Sequence, residues 1–597
     1  MDRLNGPVRY TGETVANLDY HHGQLRPVAG VHHYQVLRAN RSHPEWADDY
    51  GWTYNHAPML AYWNGKFYLE YLSDPVGEHI PPGQTLLTDS EDGIRWSKPR
   101  VVFPQYRLSE AFRRPDGVEL PAGTDAVMHQ RMGFYVSPGG KLLVLGFYGF
   151  CPAPKDHPND GLGIGRVVRE VLPDGSFGPI CFIRYNRHAG WHEGNTSFPL
   201  YTDSPDSAFR EACEALLADK LVTLQWWEED RSPDGFYAIE GGKALSSYRL
   251  PDGTVVGLWK FSKAALSADG GNTWSGMEDV PSLVMAGAKI WGQQTSDGNY
   301  ALVYNPSPVG KHRWPLAIVT GEDGRDFDHM RLVCGEVAPR RFDGQHKDYG
   351  LNYVRGIEAA DGSPPPRGSL WITYSMNKED IWVSEIPVPV HDRTDTHVDD
   401  RFDDLDSGGH IPGWNVYSPL WAPVTVAEFP SAADKSLELM DRDPYDYAKA
   451  ERIFPESSAV TIRFRVLARQ TDHGQLFIEC CDGISTAPVR ILFDSDGCIR
   501  VLDQGYYADV QTYAAGSWYD IQLTVDVVKQ NYELAIGAFR KTFRFVVPVR
   551  SVERIVFRTG PVRREPNVET GVSGSDAAGA DEPVQAAYYY INYLQTI

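Results

Sequence analysis

From about residue 30 to 388 the chain alternates short apolar runs with tight turns, and the cycle keeps repeating. The clearest unit runs Ala57-Pro58-Met59-Leu60-Ala61-Tyr62-Trp63, then Asn64-Gly65, then Lys66-Phe67-Tyr68-Leu69-Glu70-Tyr71. Asn-Gly between two aromatic-rich runs predicts a hairpin, because both central turn residues need positive φ. Comparable turns are predicted at Pro138-Gly139-Gly140, Pro251-Asp252-Gly253 and Ser296-Asp297-Gly298. A second element accompanies them. Ser90-Glu91-Asp92-Gly93-Ile94-Arg95-Trp96 and Ser267-Ala268-Asp269-Gly270-Gly271-Asn272-Thr273-Trp274 share the form S-x-D-x-G-x-T-W with small departures. Asp174-Gly175-Ser176-Phe177 and Asp323-Gly324-Arg325-Asp326-Phe327 are weaker versions. One segment breaks the strand rhythm: Ser204-Pro205, followed by Ala208, Phe209, Ala212, Leu216 and Leu217, has the start signal and spacing of a helix.

The S-x-D-x-G-x-T-W strings resemble the Asp-box of sialidase-type β-propellers, where the box forms a turn between outer strands of a blade. Successive boxes lie 54 to 95 residues apart, which suits one or two four-stranded blades per interval. The fold class expected is therefore all-β: a propeller of about six or seven blades over residues 1–390. A polar linker, 391–398, leads to a second domain, 399–597, of alternating strand-like runs. That part resembles a concanavalin- or laminin-G-like jelly roll, which implies that its first and last strands pair. The stretch 571–582, rich in Gly, Ser, Ala and Asp, reads as a mobile loop.

Composition narrows the partners. With 57 basic against 79 acidic side chains the net charge is −22, which argues against nucleic acid. The 16 Trp and 32 Tyr suit sheet packing and, secondarily, stacking on sugar rings. The seven cysteines (Cys151, Cys181, Cys213, Cys334, Cys480, Cys481, Cys498) contain no C-x-x-C pair, so neither a disulfide framework nor a zinc site is indicated. The longest apolar run, Leu142 to Cys151, is too short for a bilayer span, so no membrane partner is expected. The first residues carry no apolar signal-peptide core; with Met1 as the native start, a cytoplasmic protein is expected.

In a propeller the innermost strands line a shaft, and ligands gather at one mouth of it. Polar residues recur where such strands should begin: Tyr54-Asn55-His56, His129-Gln130-Arg131, Arg187-His188 with His192-Glu193-Gly194-Asn195, Gln293-Gln294, and Tyr349, Asn352, Tyr353 and Arg355. Each alone reads as a satisfied surface residue; the recurrence is the argument. His56 and His79 lie 23 residues apart, with Arg131 and Arg187 in the following units. This order resembles the propeller polysaccharide lyases, the L-rhamnose-α-1,4-D-glucuronate lyases and ulvan lyases, and the related propeller α-L-rhamnosidases. The resemblance implies removal of a terminal sugar, L-rhamnose, from a uronate-containing oligosaccharide by β-elimination. It implies Arg131 and Arg187 on the uronate carboxylate, His56 as base or acid, and His79 in the complementary role, with Tyr135 or Tyr353 as its substitute. His129, His192, Glu193, Asn195 and Arg355 would complete the substrate contacts. No cofactor is required and no catalytic metal is expected; a structural calcium is allowed.

Two alternatives stay open. An exo-glycosidase needs two carboxylates, for which Asp125, Glu193, Glu229 and Asp348 are available. A sialidase-like version would use Arg131, Arg187 and Arg355 on a ligand carboxylate with Tyr353 as nucleophile, although no partner Glu stands out. A non-catalytic glycan binder would instead use aromatics such as Trp414, Trp421, Tyr506 or Tyr507, or one of Trp226 and Trp227 at the propeller rim.

Overall fold

The computed structural model describes residues 6–115, 117–129, 132–153, 156–158, 162–228, 236, 239, 241–563 and 574–597. Among these, the first domain comprises five four-stranded blades rather than six or seven. Blade 1 is Tyr54–Trp63, Lys66–Asp74, Gln84–Ser90 and Arg100–Phe103, and blade 2 is Gly133–Val136, Leu142–Gly149, Gly163–Val171 and Cys181–Tyr185. Blade 3 is Ser246–Arg249, Val255–Trp259, Lys263–Ser267 and Glu278–Asp279; blade 4 is Ile290–Gln294, Tyr300–Tyr304, Leu316–Gly321 and Asp326–Cys334. Blade 5 takes Tyr349–Ala360, Leu370–Met376 and Asp380–Ile386 from its own stretch and His32–Leu37 from near the N-terminus as its outermost strand. The ring is thereby closed by strands distant in sequence. The intervals that suggested extra blades are filled by a helical insertion and by long connections around the two-stranded Phe112–Arg113/Glu119–Leu120 ribbon.

The turn chemistry explains the regularity. Asn64 and Gly65 adopt φ +50° and +74°, closing the Trp63↔Lys66 pair as an Asn-Gly turn should. In each Asp-box the carboxylate replaces turn carbonyls. Asp92 accepts from the Ile94 and Arg95 amides at 2.8 Å, and Asp269 accepts from the Thr273 amide at 2.8 Å. The box tryptophans then donate to Gly93 and Gly271 carbonyls. All four boxes link the third and fourth strands of a blade, while the four predicted hairpins link the first and second. Both sets lie at the same end of the blades. The opposite end, where first strands begin and second strands pass to third, is left for the site.

The predicted helix forms over Ser207–Ala218, capped by the Asp206 carboxylate, which accepts from the Ala208 and Phe209 amides. It buries Phe209, Ala212, Cys213 and Leu216 against Leu143, Leu145 and Val168 of blade 2. Trp226 is in the same core, 1% exposed, so it does not rim the mouth; Trp227 packs partly buried beside it.

The second domain is a β-sandwich. One sheet runs from Trp414–Ser418 through Lys449–Ser457 and Val552–Arg558 to Tyr506–Thr512; the other is centred on Ala587–Thr596 and Ala459–Ala468. The last strand pairs antiparallel with Asp399–Arg401, the first, as expected. The blade 5 outer strand His32–Leu37 pairs parallel with Trp414–Ser418, so blade 5 and one sandwich sheet are a single continuous sheet. Trp414 and Trp421 are buried, the latter with the Arg38 guanidinium 3.6 Å above its ring, so both serve packing rather than glycan stacking. Tyr506 is exposed and Tyr507 partly so. The segment read as a mobile loop lies outside the described residues at 571–573, but 574–582 is pinned to the propeller. Asp581 accepts from the Arg41 amide and Ser42 hydroxyl, and Ala580 packs on Ala39 and Phe342. No helix among the described residues is long and apolar enough to cross a membrane.

Candidate active site at the propeller mouth

The innermost strands of blades 1 and 5 lie side by side and parallel, and both are broken at the same level. In blade 1 the register slips between His56 and Met59, with Ala57 at φ +48°; in blade 5 it slips between Asn352 and Arg355, with Tyr353 at φ +59°. A bulge re-aims the side chains beside it. Non-glycine residues in the left-handed region cost energy that the surrounding fold must offset, which makes them markers of functional sites. The His56 and Tyr353 rings are thereby brought to 4.5 Å between centroids. His79 and Lys378, at φ +65° and +56°, sit on the neighbouring second-to-third strand connections.

His56 is fully buried. Its Nδ1 lies 2.8 Å from Ser375 Oγ, and its Nε2 has no hydrogen-bond partner. Burial, reinforced by the Lys378 charge, holds it well below the usual histidine value, so the ring is neutral near pH 7. Tyr353 is set among three lysines. Lys260 Nζ donates to its hydroxyl at 3.1 Å, and Lys289 and Lys378 lie 3.9 and 5.8 Å from the ring centroid. Lys378 also stands 3.3 Å from both Glu78 and Asp348, and Arg313 lies 3.8 Å from Asp348. Burial alone would push the Glu78 carboxyl up, but Lys378 and the nearby histidines hold it well below the usual carboxylate range. His79 Nε2 is 3.3 Å from His129 Nδ1, with His157 edge-on to the His79 ring. Burial lowers His79 to about 4 against the opposing pull of Glu78.

The structure thus brings together His56, His79, His129, Tyr353 and Asp348. Arg355 lies farther along the same strand, 2% exposed, and donates through Nη2 to the Leu245 carbonyl of blade 3. Other expected residues fall elsewhere. Arg187 and Glu193 pair with each other at 2.6 Å in an exposed loop beyond the outermost strand of blade 2. Among the described residues, the His192 and Asn195 side chains bond within that loop: His192 Nδ1 accepts from the Gly194 amide, and Asn195 Nδ2 donates to the Gly190 carbonyl. Tyr135 packs on the core beneath the inserted helix, Asp125 pairs with Arg107 at 2.7 Å, and Gln294 bonds Gly298 at the far end of blade 4. Arg131, Gln130 and Glu229 lie outside the described residues.

Sequence reasoning passed over Lys260, Lys289, Lys378, Glu78 and Arg313. The signal was present: Lys260 directly follows a second strand, Lys378 lies in the hairpin after another, and Lys289 immediately precedes a first strand. Each therefore occupies the same end of its blade as His56.

One group among the described residues has the spacing of a metal site, His32, Glu385 and His410 at the seam between the domains. Its carboxylate is already gripped by Arg367 at 2.5 and 2.8 Å. Both His32 nitrogens are engaged, with the Tyr34 hydroxyl and the Ile411 carbonyl. It is an ion-paired knot; a cation there would have to displace Arg367.

Residues 6–243 match a family model described as BT_1020-like, N-terminal beta propeller, and residues 414–573 match one described as Sialidase-like, CBM domain. A solved structure described as "Sialidase" is 43% identical, with a TM-score of 0.94 over 99% of this chain. The chain is similar to a sialidase. It spans 54% of that protein's length. The Trypanosoma rangeli sialidase is 11% identical over 91% of each chain, with a TM-score of 0.33, too low to carry an argument. No curated protein matches the chain. The likeness is to glycosidase-type propellers rather than to the lyases that the His–Arg order resembled.

Proposed function

We propose that the chain is a carbohydrate-active exo-glycosidase that releases a terminal acidic sugar, with Tyr353 as nucleophile and the lysines around it holding the substrate carboxylate. The observation that carries this reading is the placement of Tyr353, aimed by a strained bulge into a group of buried cations. A substrate with a carboxylate near its anomeric carbon repels a carboxylate nucleophile, whereas a phenol carries no such charge; tyrosine nucleophiles are the known exception to the two-carboxylate rule. Lys260 and Lys289 supply attraction for the substrate anion in a site shielded from water. His56 keeps an unpartnered Nε2 beside the Tyr353 ring, but burial and Lys378 make it a weak base, so it can take the phenol proton only as attack on the sugar proceeds. Of the four carboxylates considered for a two-carboxylate hydrolase, Asp348 alone is described in this cluster, and it is already paired with Lys378. The elimination reading needs two free guanidiniums, and Arg187 is committed to Glu193.

The similarity to a sialidase favours an acidic terminal sugar without fixing which one. The experiment is a panel of fluorogenic glycosides of N-acetylneuraminate, glucuronate, rhamnose and glucose. Release from an acidic glycoside that is lost in Tyr353→Phe supports the reading. Turnover confined to neutral glycosides, or undiminished in Tyr353→Phe, refutes it.

A further inference from the structure

Blade 3 turns from its second strand to its third through Lys260, Phe261 and Ser262, at the same end of the propeller as Tyr353. Phe261 and Ser262 both stand in the left-handed region, at φ +65° and +56°. Asn and Gly fill such a pair readily, as Asn64 and Gly65 do in blade 1, but for a bulky aromatic the conformation is strained. Packing does not offset that strain, because Phe261 is 54% exposed. A residue that is both strained and apolar in water lowers stability on two counts, which points to a role in function.

The turn is fixed at the rim of the candidate active site. The Phe261 amide donates to the Ala286 carbonyl, the Ser262 hydroxyl to the Leu283 and Met285 carbonyls, and the Ala286 amide to the Ser307 carbonyl. These bonds stitch the mouth-end connections of blades 3 and 4 into one ledge, on which Val284 and Val309 are also exposed. A Cβ on Gly287 would lie 3.5 Å from Phe261 Cε1 and 3.8 Å from Arg313 Nη2, so the ring and the guanidinium flank one glycine. Arg313 is the group beside Asp348, and Lys260, the residue before Phe261, donates to the Tyr353 hydroxyl. Depth separates these neighbours. Lys260 and Tyr353 are buried, whereas Phe261 stands in solvent. A site that removes terminal units holds the terminal ring at its floor, and the rest of the oligosaccharide leaves over the rim. The next ring outward then passes at the level of Phe261. A pyranose such as galactose has one face of C–H groups, which suits a flat apolar ring, while the lysines beneath suit the acid.

We propose that Phe261 is a specificity-determining residue that stacks on the leaving sugar, the ring next to the bond that is broken. The enzyme then prefers an oligosaccharide to a simple glycoside of the same acid. This rests on the exo-glycosidase reading of the mouth. Contact with the second ring supplies binding energy away from the reacting atoms, where it can be used to position them.

The test uses the full chain carrying Tyr353→Phe, so that ligands are bound without being cleaved. Isothermal titration compares the methyl glycoside of N-acetylneuraminate with N-acetylneuraminyl-galactose, and methyl glucuronide with glucuronosyl-galactose. For at least one acid the galactoside should bind about tenfold tighter than the methyl glycoside, the effect of covering roughly 60 Å² of apolar surface. Adding Phe261→Ala should bring that ratio close to one, and Phe261→Trp should preserve it. Phe261 is exposed, so both variants fold, which their melting temperatures verify. The proposal is overturned if neither galactoside binds, if the ratio is close to one for both acids with Phe261 in place, or if it survives Phe261→Ala. The ratio needs no turnover. The reading of Tyr353 fails separately, by undiminished release from the fluorogenic glycosides in Tyr353→Phe.

Discussion

Replacing Glu385 with glutamine removes the carboxylate that ties blade 5 to the sandwich. Glu385 is 1% exposed, accepts from Arg367 at 2.5 and 2.8 Å and from Ser369 Oγ at 2.8 Å, and faces His410 Nδ1 at 3.4 Å. Burial alone would raise its carboxyl; hydrogen bonds from His410 and Arg367 and their charges lower it to about 2, from a usual 4.5. At about 1.4 kcal/mol per pH unit, this displacement corresponds to about 3 kcal/mol of stability at pH 7. That agrees with the roughly 3–5 kcal/mol lost when one member of a buried ion pair is removed. The lower end applies because Arg367, one-third exposed, can turn to water. Because the folded value is depressed, the contribution is present above about pH 4.5 and is lost as pH falls through about 2. By the same linkage it is about half its full size at pH 3. Urea denaturation of parent and Glu385→Gln, followed by circular dichroism at pH 7 and pH 3, should therefore show a gap of about 3 kcal/mol that narrows to about 1.5. A gap under about 1 kcal/mol at pH 7, or one that does not narrow with acid, would refute the argument.

Further outcomes follow from the same contacts. Tyr353→Phe should fold normally, keep its melting temperature within a few degrees and lose at least about a thousandfold in kcat, the scale of deleting a nucleophile. Lys289→Met should lower kcat/KM on an acidic glycoside by about ten- to a hundredfold, the size of a charge-assisted contact, as read by initial rates on the fluorogenic panel. Phe209→Ala, which empties a site 5% exposed beneath the inserted helix, should destabilise by about 3–5 kcal/mol in urea.

Much of the fold was legible because its signals are local. Asn64-Gly65 and the Asp92 and Asp269 boxes carry their turn geometry in their own residues, and the Ser207–Ala218 helix carries its cap and its spacing. The blade count was not local. It depends on how much of each interval is insertion, and on His32–Leu37 pairing with Ile381–Glu385 across some 350 residues. At the site, His56 and Tyr353 were found because polar residues at strand starts recur with the blades. The lysines were missed because they sit beside those strand starts and ends, where a charged residue also reads as ordinary solvent exposure. Their proximity to Tyr353 exists only after blades 3, 4 and 5 close around one shaft. Arg187 failed for the converse reason: it follows an outermost strand, and the sequence does not number strands within a blade.

The central claim is hydrolysis of an acidic terminal sugar at Tyr353, and product analysis tests it most directly. The full chain is incubated with an oligosaccharide ending in an acidic sugar and, separately, with one whose uronate carries a sugar on O4, the bond that elimination would break, and both are followed by ultraviolet absorbance and mass spectrometry. The account predicts a free saturated acidic sugar, one water heavier than the residue removed, with no rise in absorbance and no release by Tyr353→Phe. An unsaturated, ultraviolet-absorbing uronate would mean elimination instead, and would contradict it.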